Sequence, residues 1–381
     1  MKEFVYADNA ATTKLSPVAL EAMTPYLNEE YGNPSSLSAI GRRARRCIED
    51  ARKQVASLIG ATPAEIYFTS GGTEADNWAI KGLMRKARAK GKNHLITTSI
   101  EHHAVLHSAQ ALQREGFDVT YLPVDSKGLV SPADVKAAIT TNTALVSVMF
   151  ANNELGTIEP AAEIGALCRE VGVPFHTDAV QAVGTLPINV SDMNIDMMSL
   201  SAHKFYGPKY VGALYCRREL YPDSILHGGA QEKGRRPGTE NPALIAGLSA
   251  ALTEACAEMQ TKTTRIAVLR DAMQRGIEEI EGARVNGDIS NRLPGHLNVS
   301  FDGLDGESLL FSLDLKGIAA SSGSACASGS VDPSHVLIAI GLPYAKAHGS
   351  LRLTLGKYNT EEEVARIVSA VKETVAELRK K

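Results

Sequence analysis

The sequence predicts an α/β protein built on a mainly parallel sheet, with a smaller α+β region toward its end. Three observations carry this. Strand-like and helix-like segments alternate through the first two-thirds of the 381 residues, as parallel strands joined by helical crossovers require. Near residue 260 the pattern gives way to shorter, mixed elements. The length exceeds the roughly 100–200 residues of a usual domain, so more than one core is expected.

Taken in order, Ser16-Pro17 opens an amphipathic helix reaching about residue 26, because serine caps a helix and proline is tolerated in its first turn. A second helix is expected over 38–58, with arginines and acidic residues on its wet side. Residues 66–70 read as a strand and 73–89 as a helix. Segments 94–99, 119–124 and 144–150 are strand-like with helices between them, and 175–178, 197–201 and 211–215 are further short strands. A long helical stretch follows Asn241 and runs to about residue 281. Beyond it, 297–301 reads as a strand, 307–314 as a helix, 350–355 as a strand and 361–378 as a terminal helix. No internal repeat or low-complexity linker interrupts the chain.

Composition narrows the function classes. Hydrophobic residues make up 44% and charged residues 22%, the balance of an ordinary soluble globular protein. The net charge is −3, and the densest basic cluster (Arg42, Arg43, Arg45, Arg46) is followed at once by Glu49 and Asp50. That reads as a solvated helix face, so no nucleic-acid partner is expected. No run of about 18 apolar residues marks a membrane span, and Met1-Lys2-Glu3 leads straight into a strand-like segment with no signal-peptide pattern. Cys47, Cys168, Cys216, Cys256 and Cys326 are scattered, odd in number and form no CxxC pair. A reducing, cytoplasmic setting fits this better than a disulfide framework or a structural zinc site.

Several segments could carry chemistry. Ser70-Gly71-Gly72-Thr73-Glu74 joins a predicted strand to a predicted helix. Glycines let backbone approach a ligand, and helix N-terminal N–H groups favour an anion; a tight strand–helix turn explains the same residues structurally. No Gly-Lys-Ser/Thr follows, so this is not a nucleotide P-loop. Asp178 ends a predicted strand, where open α/β sheets place ligand contacts, although a lone aspartate there is as often structural. Lys204 follows the short strand 197–201 among small and apolar residues. A lone lysine is usually a surface charge, but a partly desolvated one can form a Schiff base. An anion cup, then an aspartate, then a lysine 26 residues later is the order a pyridoxal-phosphate enzyme needs. In Glu101-His102-His103 the adjacent imidazoles do not point the same way, so one ring stacking on a flat cofactor is the better functional reading, beside a structural one. Cys326 stands in Ser321-Ser322-Gly323-Ser324-Ala325-Cys326-Ala327-Ser328-Gly329-Ser330. A thiol on a small-residue loop is a candidate nucleophile or an incidental loop cysteine.

With these segments assembled, the sequence resembles the NifS/IscS-type cysteine desulfurases, within the class V aminotransferase group of fold-type I pyridoxal 5'-phosphate (PLP) enzymes. The resemblance runs over nearly the whole chain. It begins with Tyr6-Ala7-Asp8-Asn9-Ala10-Ala11-Thr12-Thr13 and Tyr31-Gly32-Asn33-Pro34-Ser35-Ser36, and continues through 70–77, 101–106 and Asn152-Asn153-Glu154-Leu155-Gly156. It then takes in 178–184, 199–208, 235–241, 321–326 and 348–356. It implies a large domain over 15–260 with a mainly parallel seven-stranded sheet, and a small α+β domain from 1–14 and 261–381 that carries the cysteine loop.

The resemblance also implies roles. Gly72, Thr73, Ser201 and His203 are expected to bind the PLP phosphate, with Thr239 reaching the phosphate of the neighbouring subunit of a homodimer. His102 is expected to stack on the ring, Asp178 to pair with its nitrogen and Gln181 with its phenolic oxygen. Asn153 is expected at cofactor or substrate, Lys204 as the imine-forming lysine and Arg352 on the carboxylate of L-cysteine. Cys326 is expected to take the sulfur as a persulfide. It then passes it to an iron–sulfur scaffold or another acceptor protein, a transfer in which Cys326 could share an iron–sulfur cluster as a metal ligand. The Ser-Gly-Ser-Ala-Cys loop resembles the branch that supplies iron–sulfur assembly. Tyr210, where relatives usually have glycine, and Lys346, where an acidic residue is frequent, depart from the pattern at no motif position. A selenocysteine lyase or another class V PLP enzyme, and a catalytically silent sulfur-relay protein, are the competing readings.

Overall fold

A computed structural model describes residues 4–322 and 333–380. A two-residue strand, β1 (Val5–Tyr6), starts the described chain. The first helix is Pro17–Asn28, with Ser16 Oγ accepting from Ala19 N at 3.1 Å. The second is Ala39–Ile59, capped by Ser38 Oγ from Gly41 N at 3.3 Å. Both starts agree with the serine signals in the sequence, because each hydroxyl accepts from an N–H that has no partner inside its helix.

Seven strands form the large sheet: β2 (Ile66–Thr69), β3 (His94–Thr98), β4 (Asp118–Leu122), β5 (Thr143–Ser147), β6 (Phe175–Asp178), β7 (Met197–Ser201) and β8 (Gly212–Cys216). Their order is β2-β8-β7-β6-β5-β3-β4. Neighbours from β7 through β4 are parallel, whereas β8 runs against both β7 and β2. β2 therefore points the same way as the parallel strands. The segments after β2, β3, β5, β6 and β7 all leave from one edge, where open α/β sheets hold ligands. Strands β2, β3 and β5 to β8 are buried on both faces, so that even their polar members such as Thr97, His176 and Ser199 lie inside. Ile96, Val146, Phe175, Met198 and Leu200 form the centre of one core.

A second core contains Val5, Leu297, Val299, Leu351, Leu353 and Ile367. It packs an antiparallel sheet of β9 (Ala283–Asn286), β10 (His296–Phe301) and β12 (Ser350–Thr354), in the order β12-β10-β9. The remaining strand, β11 (Ile318–Ala319), pairs in parallel with β1. The first described residues thus pack with the last third of the chain.

Three sequence expectations need correction. The long helix after Asn241 is two helices, Pro242–Ala257 and Met259–Glu278, separated at Glu258. Lys262 explains how the break is tolerated: its Nζ donates to Ala255 O at 3.2 Å and to Gly184 O at 2.8 Å, satisfying a carbonyl the first helix leaves over. The helical run over 72–88 contains a π-helical turn, Trp78–Gly82. There Gly82 lies against another loop so closely that a Cβ would sit 2.4 Å from Asp223 O. Finally, β5 is bounded at Ser147, short of residue 150, although Val148 N and Phe150 N still donate to His176 O at 3.1 Å and Asp178 O at 2.8 Å, so the chain stays alongside β6 up to the cavity at the sheet's edge.

Candidate functional site

At that edge lies a cavity of about 260 Å³. One wall is the β2–helix junction. Gly71 adopts φ +154 with ψ −176, a region open to glycine. A Cβ on Gly72 would come within 2.6 Å of Val180 Cγ2, so only glycine fits against that strap. Thr73 and Ser201 lie beside it on the cavity wall. The turn is tied down by Glu74, which accepts from Ser70 N at 2.7 Å and pairs with Arg236 at 2.8 Å.

Lys204 enters from the opposite side, at the end of the turn Ala202–Lys204 that follows β7. Its Nζ donates to Ala10 O and, at 2.9 Å, to Ala11 O. Gln181 Nε2 also donates to Ala10 O at 2.9 Å. His203 Nδ1 meets Thr12 Oγ1 at 3.1 Å. The segment 8–13 therefore forms a lip over the cavity.

Asp178 is 6% exposed, and its Oδ1 accepts from Val180 N at 2.9 Å. Burial pushes its carboxyl up to about 6, opposed by the Val180 N–H and the Lys204 charge. His102 caps the helix His103–Arg114, its Nδ1 accepting from Ala104 N at 3.2 Å. Burial, then Lys204, push this imidazole down to about 4, so it is neutral near pH 7. With Nδ1 accepting, the proton sits on Nε2.

Arg352 projects from β12 into the same cavity. Its Nη2 pairs with Asp8 Oδ1 at 2.9 Å and its Nη1 donates to Asn153 O at 3.1 Å. Its Nε is buried without a hydrogen bond among the described residues.

Of the residues expected from sequence, Gly72, Thr73, His102, Asn153, Asp178, Gln181, Ser201, His203, Lys204 and Arg352 all line this cavity. Thr239 does not; it is exposed on the loop before the helix Pro242–Ala257. Cys326 lies outside the described residues.

Sequence reasoning missed three carboxylates. Asp8 pairs with Arg352. Glu101, fully buried, accepts from Thr98 Oγ1 at 2.8 Å and Met149 N at 2.9 Å; burial pushes it up to about 8. Asp76, 1% exposed, lines the cavity floor beside Asp178. Its spacing of four residues from Gly72, one helical turn, was the available signal.

The model of the family described as "Aminotransferase class-V" matches residues 5–367. A protein of Clostridium botulinum named cysteine desulfurase IscS is 53% identical over 382 residues, covering 100% of this chain and 96% of that one. The solved structure of a NifS-like protein superposes with a TM-score of 0.93 at 38% identity, covering 98% of this chain and 100% of the other. That of SspA in complex with cysteine superposes with a TM-score of 0.82 at 40% identity, covering 93% and 99%.

Proposed function

Since this chain belongs to the class-V aminotransferase family, we propose that it is a cysteine desulfurase that uses pyridoxal phosphate to convert L-cysteine to L-alanine, leaving the sulfur as a persulfide on Cys326. The observation that carries this reading is the convergence of Lys204, Asp178 and Arg352 on one cavity beside a glycine cradle. Residues present suit the cofactor. Gly72 leaves room that a Cβ would fill, Asp178 offers a buried carboxylate for a ring nitrogen, and neutral His102 offers a flat face for stacking. Gly72, Thr73, Ser201 and His203 would hold the phosphate, and Gln181 the phenolic oxygen.

When bound, pyridoxal phosphate supplies an electron sink that eases loss of a proton from the substrate Cα and of sulfur from Cβ. Lys204 Nζ anchors the cofactor and, once released, accepts and returns the Cα proton. Arg352 orients the substrate carboxylate through its fork of N–H donors, with Asp8 and the Asn153 carbonyl fixing the guanidinium. His102, neutral and with its proton on Nε2, offers a hydrogen-bond donor beside the reacting atoms. Cys326 receives the sulfur: the substrate C–S bond breaks, an S–S bond forms, and alanine leaves carrying the protons that balance the transfer. Incubation with L-cysteine, measuring alanine and sulfide with and without a thiol reductant, tests the reading. Consumption of cysteine without formation of alanine would replace it with another class V reaction.

Arg352→Lys is expected to raise KM for cysteine by about tenfold or more with PLP retained, because a lysine cannot reproduce two parallel bonds to a carboxylate. Steady-state kinetics check this, and an unchanged KM would remove Arg352 from the substrate site.

The proposal extends to assembly and setting. We take residues 15–260 as the large domain and 1–14 with 261–381 as the small one, and the protein as a homodimer in the cytoplasm that hands sulfur to an iron–sulfur scaffold or other acceptor. Among the described residues no helix is long and apolar enough to cross a membrane. Thr239, exposed in its own chain, is assigned to the partner's phosphate site. Thr239→Asp should weaken PLP binding by charge repulsion. In heterodimers of Lys204→Ala with Thr239→Asp, one site receives both defects and the other receives neither. Purified, differently tagged heterodimers should recover part of the activity; inactive ones would remove Thr239 from the partner's site.

A further inference from the structure

Beneath the cavity, Asp76 and Asp178 bring two buried carboxyls together. Asp76 comes from the helical segment Gly72–Asn77, and Asp178 ends β6. Each brings an oxygen within 4.8 Å of the other and of a His102 ring nitrogen. Asp76 is 1% exposed, and its Oδ1 has no hydrogen-bond partner among the described residues. Its nearest basic group is His176 Nε2, at 3.7 Å.

Two arrangements are compatible with that neighbourhood. In one, His176 is protonated and forms a buried ion pair with an ionised Asp76. In the other, both are neutral. Burial favours the second, because the hydrogen-bond partners of the fully buried His176 among the described residues are neutral hydroxyls, which do not offset the cost of a buried charge. Nδ1 meets Ser147 Oγ at 2.9 Å and Nε2 meets Ser199 Oγ at 3.1 Å. Burial pushes His176 down to about 3. The groups facing Asp76 are Asp178 and His176 from β6, Ser199 from β7, Glu101 after β3 and His102 at the next helix start, with Lys204 nearer Asp178. Burial first, then the Asp178 charge, hold the Asp76 carboxyl well above the usual range, and two like charges this close in a dry site do not both form.

We propose that Asp76 and Asp178 are a carboxyl dyad holding one proton, kept on Asp76, so that Asp178 alone presents the negative charge meant for the cofactor's ring nitrogen. Asp76 is a positioning residue: it sets the charge of the site to one without touching the reacting atoms. This rests on the assignment of the cavity to pyridoxal phosphate, but the dyad itself is a property of the chain and is tested without the cofactor.

The test uses the full chain stripped of cofactor, comparing wild type with Asp76→Asn and Asp178→Asn. The wild-type-minus-Asp76→Asn infrared difference spectrum at neutral pH should contain a protonated carboxylic acid band. In Asp178→Asn, that acid should titrate at lower pH, since its like-charged neighbour is gone. Stability gives an independent reading. A carboxyl whose folded pKa is raised destabilises the fold increasingly as pH climbs above its unfolded value. The thermal midpoint of Asp76→Asn relative to wild type should therefore rise as pH climbs above about 4, the unfolded value of an aspartate. With PLP added, Asp76→Asn should bind within about threefold of wild type, since an amide replaces a neutral acid, whereas Asp178→Asn should weaken binding by more than about tenfold. A carboxylate rather than an acid signal for Asp76, or a constant stability loss across pH as a broken His176 ion pair would give, overturns the dyad. An intact dyad signal with no PLP binding by wild type would instead count against the cofactor assignment alone.

Discussion

Lys204→Ala is expected to abolish conversion of cysteine, lowering turnover by at least about 10³-fold, and to leave any bound cofactor without the visible absorption that its bond to lysine confers. Lys204 is the sole lysine among the described residues lining the cavity. Its Nζ is held at the lip by the Ala10 and Ala11 carbonyls, poised over the floor that Asp178 forms. On the proposed function the substitution removes both the anchor and the group that moves the Cα proton, and no second lysine among the described residues lines the cavity to replace it. His102 has its proton on Nε2 and is pushed down to about 4, which makes it a weak base for this task. Absorption spectra and alanine formation measured on the purified variant check the result. Normal turnover would show that the lysine is not part of the chemistry.

Cys326→Ser should separate the two halves of the reaction. On the proposed function the Cys326 thiolate is the nucleophile that takes sulfur, and a hydroxyl in its place is far less reactive at neutral pH. Sulfide release in the presence of a reductant should fall by about 10²-fold or more. The cavity groups are untouched, so addition of cysteine should still perturb the cofactor's visible spectrum. Sulfide release at the wild-type rate would move the sulfur-accepting role to another group. A variant that neither releases sulfide nor responds spectrally to cysteine would place Cys326 in substrate binding instead.

Much of the architecture was legible from the amino-acid order because the signals are local. Ser16 and Ser38 mark helix starts through their own hydroxyls, and the apolar-rich, non-alternating segments of β5 and β7 reflect strands covered on both faces. The helix break at Glu258 was not legible. The apolar pattern runs on through it, and what allows the break is Lys262 reaching Gly184, 78 positions away in sequence.

The sequence by itself determined the chemical types available at the site: a glycine pair before a helix, an aspartate and a lysine at strand ends, an arginine on a late strand and one loop thiol. The glycines, the aspartate and the lysine follow from strand-end positions, which the alternation of elements predicts, and the arginine from the family resemblance. Only the tertiary structure decided which charges share a dry environment. Asp8 meets Arg352 across 344 positions because β1 packs with the chain's last third, so the guanidinium arrives already held by a carboxylate. Asp76 meets Asp178 because the strand β2 runs in the parallel direction and aims its following helix at the end of β6. Proton affinity in such a place depends on burial and on the neighbouring charge, and both come from packing between distant segments rather than from the residues' own order.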